Sequence, residues 1–143
     1  MALVSVIHGP NLNLLGTREV SVYGRQTLPE IEAELASSAI ELGLELECYQ
    51  SNHEGGIVDR VQSLRGRADV LILNAGGYTH SSVAIRDAVA AIAPEIPTLE
   101  VHLSIPEARE ASVSKASWRG SYGAESRASE ACRICLRFTQ HRG

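Results

Sequence analysis

Residues 69–92 read DVLILNAGGYTHSSVAIRDAVAAI, and their reading decides the fold. Asp69 to Leu73 is an apolar, branched run of strand length. It passes through the polar, glycine-containing loop Asn74–His80 into a helix predicted from about Ser81 to Ile92. The same strand-then-helix unit recurs in both directions. Upstream, Ala2 to Ile7 (ALVSVI) reads as a buried strand ending at His8-Gly9-Pro10, and Leu44 to Tyr49 reads as a second strand. Between them Thr27-Leu28-Pro29-Glu30 has the form of a helix start, with Thr27 as N-cap, Pro29 in the first turn and Glu30 closing a capping box. Ile31, Leu35 and Ala39 then give one apolar face, and Gly43 stops the helix. The loop Gln50–Gly56 (QSNHEGG) leads into a helix carrying Ile57, Val61 and Leu64, and Thr98 to Leu103 is a fourth, short strand. Apolar strands alternating with helices predict an α/β fold with a parallel sheet covered on both faces.

The bulk numbers fit one domain spanning residues 1–143, with 1–110 the regular part and 111–143 atypical. No apolar run approaches the roughly 18 residues of a membrane span, and no charged leader precedes the first strand, so a soluble, cytoplasmic protein with no membrane partner is expected. Cys48, Cys132 and Cys135 are too few and too uneven for a secreted disulfide framework. The formal charge of −4 is uneven: residues 1–111 carry −8 and residues 112–143 carry +4. An acidic body argues against nucleic acid as the main partner. Lys115 is the only lysine, so any Schiff-base chemistry would rest on it alone.

In parallel sheets the ligand lies beyond the carboxyl ends of the strands, and polar side chains gather at all four ends here. Asn11, Arg18 and Tyr23 follow the first strand; Asn52, His53 and Glu54 the second; Asn74 and His80 the third; Glu100, His102 and Ser104 close the fourth. The histidines lack the paired spacing of zinc motifs, so no metal site is expected from pattern. Cys132-Arg133-Ile134-Cys135 has no second pair and is set aside as incidental. NAGGYTHSS matches no phosphate-binding fingerprint; Gly76-Gly77 as a plain turn, with Thr79 or Ser81 capping the helix, stands beside a small polar ligand site.

Arg18 and Tyr23 share a loop longer than the usual connection of about four to six residues. A phenol near pKa 10 is a poor base at neutral pH, and a guanidinium close to it would favour the phenolate. Glu100 and His102, two apart on a strand, point to the same face. There Glu100 either orients an acid–base imidazole or merely satisfies a partly buried one.

Taken together, GPNLNLLGTRE…YG, QSNHEGGIVDRVQ, NAGGYTHSSVAIRDA and EVHLS…ARE, in that order through residues 1–110, resemble the type II 3-dehydroquinate dehydratases of the shikimate pathway. The resemblance implies a flavodoxin-like fold with strand order 2-1-3-4-5, a homo-oligomer that is a dodecamer of four trimers, and no cofactor, neither metal nor Schiff base. It implies a trans elimination of water from 3-dehydroquinate through an enolate. Tyr23 would be the base, Arg18 would depress its pKa on a mobile lid, Asn11 would hold a water on the enolate, and His102 would protonate the leaving hydroxyl with Glu100 behind it. Asn74, His80 and the backbone at Leu103 and Ser104 would bind substrate, Asp87 would act across a subunit boundary, Arg109 would help fix the site and Glu54 would brace it.

The resemblance thins after Ser104 and largely ends at about residue 110. Ile105 replaces the family's Asn, and Ala111–Lys115 (ASVSK) lacks the aromatic-Arg segment. A fifth strand is hard to find beyond it. One explanation is a shifted reading frame, since some codon choices for Trp118–Ala124 (WRGSYGA) encode a strand-like segment one base earlier. An active dehydratase and an impaired homologue that only binds ligand or joins oligomers are both open at this level. A flavodoxin-like nucleotide-binding domain ranks last, because Asn11 and Leu12 offer no glycine-rich cradle.

Overall fold

The structure, a computed structural model, describes residues 1–17, 20 and 25–101. Among these, four strands form one parallel sheet: β1 (Leu3–His8), β2 (Glu45–Gln50), β3 (Val70–Asn74) and β4 (Thr98–Glu100), in the order β2-β1-β3-β4. This is the expected order as far as the fourth strand; the expected fifth strand lies outside the described residues.

The first crossover helix, α1 (Leu28–Leu42), starts as its sequence predicts. The Thr27 hydroxyl accepts from the Glu30 N–H at 3.4 Å while the Glu30 carboxylate accepts from the Thr27 N–H at 3.3 Å, satisfying two helix-end donors at once. It stops at Gly43, whose φ of 68° suits a residue without a Cβ. Its stripe Leu28, Ile31, Leu35 and Ala39 is buried, the last three packing with Val4, Val6 and Ile72 on one face of the sheet. The opposite face carries α2 (Glu54–Gln62) and α3 (Val83–Ile92), packed around Ile7, Ile57, Val61, Leu71, Ile85 and Ile92. Strand side chains alternate between the faces, so Ile7 belongs to the α2/α3 side, and Val4, Val6 and His8 to the α1 side.

One local expectation is corrected. The third helix starts at Val83 rather than Ser81, and its cap is Ser82, whose Oγ accepts from the Ile85 N–H at 3.0 Å; Thr79 and Ser81 do not serve. The cause is a tight 3-10 turn over Gly76–His80, which uses up the residues between the strand and the helix. The fourth strand is seen over Thr98–Glu100, within the expected range. Val101 still donates to the Leu73 carbonyl at 2.9 Å, and residues 102 and 103 lie outside the described part.

Candidate active site

The chain leaves β1 towards the α1 face and β3 towards the α3 face, and these two strands are neighbours. The crevice at their carboxyl ends is therefore the topological switch point. Three loop tips are tied together there. The Gly9 N–H donates to the Asn74 carbonyl at 2.7 Å, an approach so close that a Cβ on Gly9 would lie 2.4 Å from the Ala75 carbonyl oxygen. Only glycine fits without moving backbone.

Two residues on, Asn11 holds a left-handed φ of 66°, a conformation that asparagine tolerates better than most residues. Its N–H donates to Asn52 Oδ1 at 2.9 Å. Gln50 Nε2 donates to the same Oδ1 at 3.1 Å and to the Gly9 carbonyl at 3.2 Å, and the Tyr78 hydroxyl donates to the Asn52 carbonyl at 3.4 Å. Asn52 thus links the ends of β1, β2 and β3. Sequence reading placed Asn52 at a strand end but missed this clamp, because its partner Asn11 is 41 residues away.

The remaining site candidates fall into two groups. Asn74 is buried at the end of β3, its Oδ1 accepting from the Gly76 N–H at 3.1 Å, so the switch point holds both Asn11 and Asn74. Glu100 is half-buried at the end of β4, in register with Leu73. His80 closes the 3-10 turn and is exposed; Asp87 is exposed on α3 and Glu54 is exposed in the first turn of α2. Arg18, Tyr23, His102, Leu103, Ser104 and Arg109 lie outside the described residues. The loop that carries Arg18 and Tyr23 departs and returns at one place: Gly16, with φ 84°, sits so near Arg25 that a Cβ would be 2.7 Å from the Arg25 carbonyl oxygen.

Below the switch point, on the α1 side, lies a second polar cluster that pattern reading did not find. His8 from β1, Glu32 from α1 and Cys48 from β2 place one ligand-type atom each within 4.8 Å of one another. His8 is only 3% exposed, and neither of its ring nitrogens has a hydrogen-bond partner. Burial pushes its pKa down to about 4. The Glu32 carboxylate, 3.5 Å from His8 Nε2, would favour the imidazolium. Its side chain is 35% exposed, however, and its charge is screened, so desolvation of the nearly enclosed ring prevails and the ring is neutral at pH 7. Burial also raises the Glu32 carboxyl, and burial, with Glu32 and Glu47 nearby, pushes the Cys48 thiol up to about 12. Sequence spacing gives no warning of this cluster, since each member comes from a different element.

A family model described as dehydroquinase class II matches residues 2–129. The chain belongs to the class II dehydroquinase family. A 3-dehydroquinate dehydratase of Geotalea daltonii is 53% identical over 107 residues, covering 75% of this chain and 73% of its own. A catabolic 3-dehydroquinase of Aspergillus oryzae is 54% identical over 107 residues, covering 75% of this chain and 69% of its own. Among solved structures, the type II dehydroquinase of Butyrivibrio crossotus superposes with a TM-score of 0.74 at 35% identity, covering 93% of this chain and 97% of that one. These likenesses agree with the parallel α/β architecture and with the dehydroquinase motifs at its strand ends. None of the described helices is long and apolar enough to cross a membrane.

Proposed function

We propose that this dehydroquinase is a working type II 3-dehydroquinate dehydratase that eliminates water from 3-dehydroquinate to give 3-dehydroshikimate, a step of the shikimate pathway. Tyr23, as phenolate, removes the C2 proton, and the electron pair moves into the C3 carbonyl as an enolate. Arg18 supplies the positive charge that makes the phenolate accessible at neutral pH. Asn11 holds a water against the enolate oxygen. The enolate then collapses to the conjugated ketone as the C1–oxygen bond breaks, and His102 delivers a proton to the departing hydroxyl, with Glu100 favouring the imidazolium. The atoms balance: one proton and one hydroxide leave as water, and no redox cofactor or metal is called upon.

Asn74, His80 and the backbone at Leu103 and Ser104 bind the substrate's hydroxyls and carboxylate, Asp87 contributes from a neighbouring subunit, and Arg109 fixes the site. The enzyme acts in the cytoplasm as a dodecamer of four trimers.

The observation that carries this reading is the seat of Asn11: a left-handed residue, tied to Asn52 at the switch point, in the chain's first dehydroquinase motif. A backbone position held before substrate arrives sets where the Asn11 amide can reach, which is what stabilising a developing enolate requires.

The test is turnover of 3-dehydroquinate by the purified chain, followed by the absorbance of the conjugated enone. The expected result is activity that falls about 10²- to 10⁴-fold in Tyr23→Phe and in His102→Ala, the range for losing a general acid or base. A chain that binds 3-dehydroquinate without converting it would overturn the catalytic reading in favour of a ligand-binding homologue.

A further inference from the structure

We propose that His8, Glu32 and Cys48 form a binding site for a single borderline divalent cation of the zinc class, joining β1, β2 and α1 on the face of the sheet away from α2 and α3. The donor set comes first. An imidazole nitrogen, a carboxylate oxygen and a thiolate sulfur are the three ligand types that zinc takes, and three protein ligands leave one position for water.

Distances agree with this. With metal–ligand bonds of about 2.0 to 2.3 Å, two donors on a tetrahedral ion lie roughly 3.5 Å apart. His8 Nε2 and Glu32 Oε1 are 3.5 Å apart already, with no hydrogen bond between them. The Cys48 sulfur is within 4.8 Å of both, a gap that small side-chain rotations close. The half-exposed Glu32 gives the ion a way in from solvent.

The second, independent observation is the state of His8. A histidine side chain only 4% exposed, with both nitrogens unpartnered, is rare in native proteins, where buried polar atoms find partners. An ion held between Glu32 and Cys48 would satisfy one of those nitrogens. Binding displaces the thiol proton to solvent, so the dication meets one thiolate and one carboxylate and the filled site carries no net charge. Among the described residues, the polar side chains at the neighbouring strand ends are already engaged: Gln50 at the end of β2 with Gly9 and Asn52, and Asn74 at the end of β3 with Gly76.

The test uses the full chain with Cys132→Ser and Cys135→Ser, which removes the other two thiols, after stripping with a chelator and titrating with Co²⁺. A single Co²⁺ per chain is expected, with a thiolate-to-cobalt charge-transfer band and the visible spectrum of a tetrahedral ion, bleached by added Zn²⁺. Cys48→Ser should abolish the charge-transfer band. Glu32→Gln, a change on the half-exposed side of α1 that leaves the fold intact, should raise the dissociation constant by about tenfold or more. Circular dichroism of each metal-free variant separates ligand loss from unfolding. No band at saturating Co²⁺, a band that survives Cys48→Ser, or an affinity unchanged in folded Glu32→Gln would each overturn the proposal.

Discussion

Two polar clusters flank the β1–β2 pair, one on each face of the sheet, and they solve the problem of buried polarity in opposite ways. On the α2 side Glu47 receives Arg67 in a two-pronged contact at 2.6 and 2.9 Å and Arg60 at 3.1 Å, while the Arg60 guanidinium lies over the Tyr49 ring. Burial alone would raise the Glu47 carboxyl. The Arg67 hydrogen bond and the charges of Arg60 and Arg67 overcome it and hold the carboxyl below its ordinary value. On the α1 side His8 has no hydrogen bond at either nitrogen, and burial pushes the ring, Glu32 and Cys48 each towards the neutral form. The Glu47 cluster is satisfied in charge, with only Arg60 Nε left without a hydrogen bond, and reads as structure; the unsatisfied one holds an imidazole with both nitrogens unused, which is why the cation proposal falls there.

The largest expected effect tests the unsatisfied side. His8 has a folded pKa of about 4 against 6.5 when unfolded, so between those values the unfolded chain binds a proton that the folded chain refuses. Stability is therefore complete above about pH 6.5 and falls as the pH drops towards 4, by about 3 kcal/mol for this group. Glu32, whose carboxyl is raised, works in the other direction within the carboxylate range. Replacing His8→Leu removes a desolvated polar ring, so the variant should be at least as stable at pH 7, and urea melts at successive pH values should lack the loss between 6.5 and 4. An unchanged acid slope in His8→Leu would show that the ring is not neutral in the fold.

Next in size is the satisfied side. Glu47→Gln leaves Arg60 and Arg67 facing a neutral amide and should cost roughly 1 to 2 kcal/mol, less than a fully buried pair because all three side chains keep some contact with water. The sign with pH is also fixed. A depressed carboxyl stabilises the fold above its ordinary value of 4.5 and loses that contribution as the pH falls below it, so the wild type should converge on Glu47→Gln in acid. Denaturation midpoints of the two proteins at pH 7 and below pH 4 check both statements.

The contrast between the two clusters also marks what the sequence could say. The alternation of strands and helices, the Thr27–Glu30 capping box and the Gly43 stop were legible because each rests on neighbouring residues or on a repeating period, whereas the strand order came only through the family resemblance. Asn11 and Asn74 were legible as strand-end residues of motif segments. The Ser82 cap was misplaced, since nothing local shows that Gly76–His80 winds into a 3-10 turn before the helix begins. Neither the Asn11–Asn52 clamp nor the His8–Glu32–Cys48 cluster could be read, because each depends on the register of β1 against β2, which joins residues some 40 positions apart. His8 looked like the end of a strand; only the register puts Cys48 on the same face two residues below Gln50, its own partner.

The smallest expected effect separates burial from pairing as the cause of the difference. Arg65 and Glu95 form an ion pair at 2.9 Å, as short as the contacts around Glu47, but their side chains are 59% and 54% exposed. Water solvates both partners whether or not they meet, and holding two long side chains together loses rotamer freedom, so such a pair contributes little. Arg65→Ala should leave the thermal midpoint within error of the wild type at physiological salt, even though the Arg65 guanidinium is held to its charged form chiefly by the Glu95 hydrogen bond. A loss as large as that of Glu47→Gln would mean that pairing itself, and not removal from water, sets the strength of these clusters. The unpartnered His8 would then have to be explained by its geometry alone.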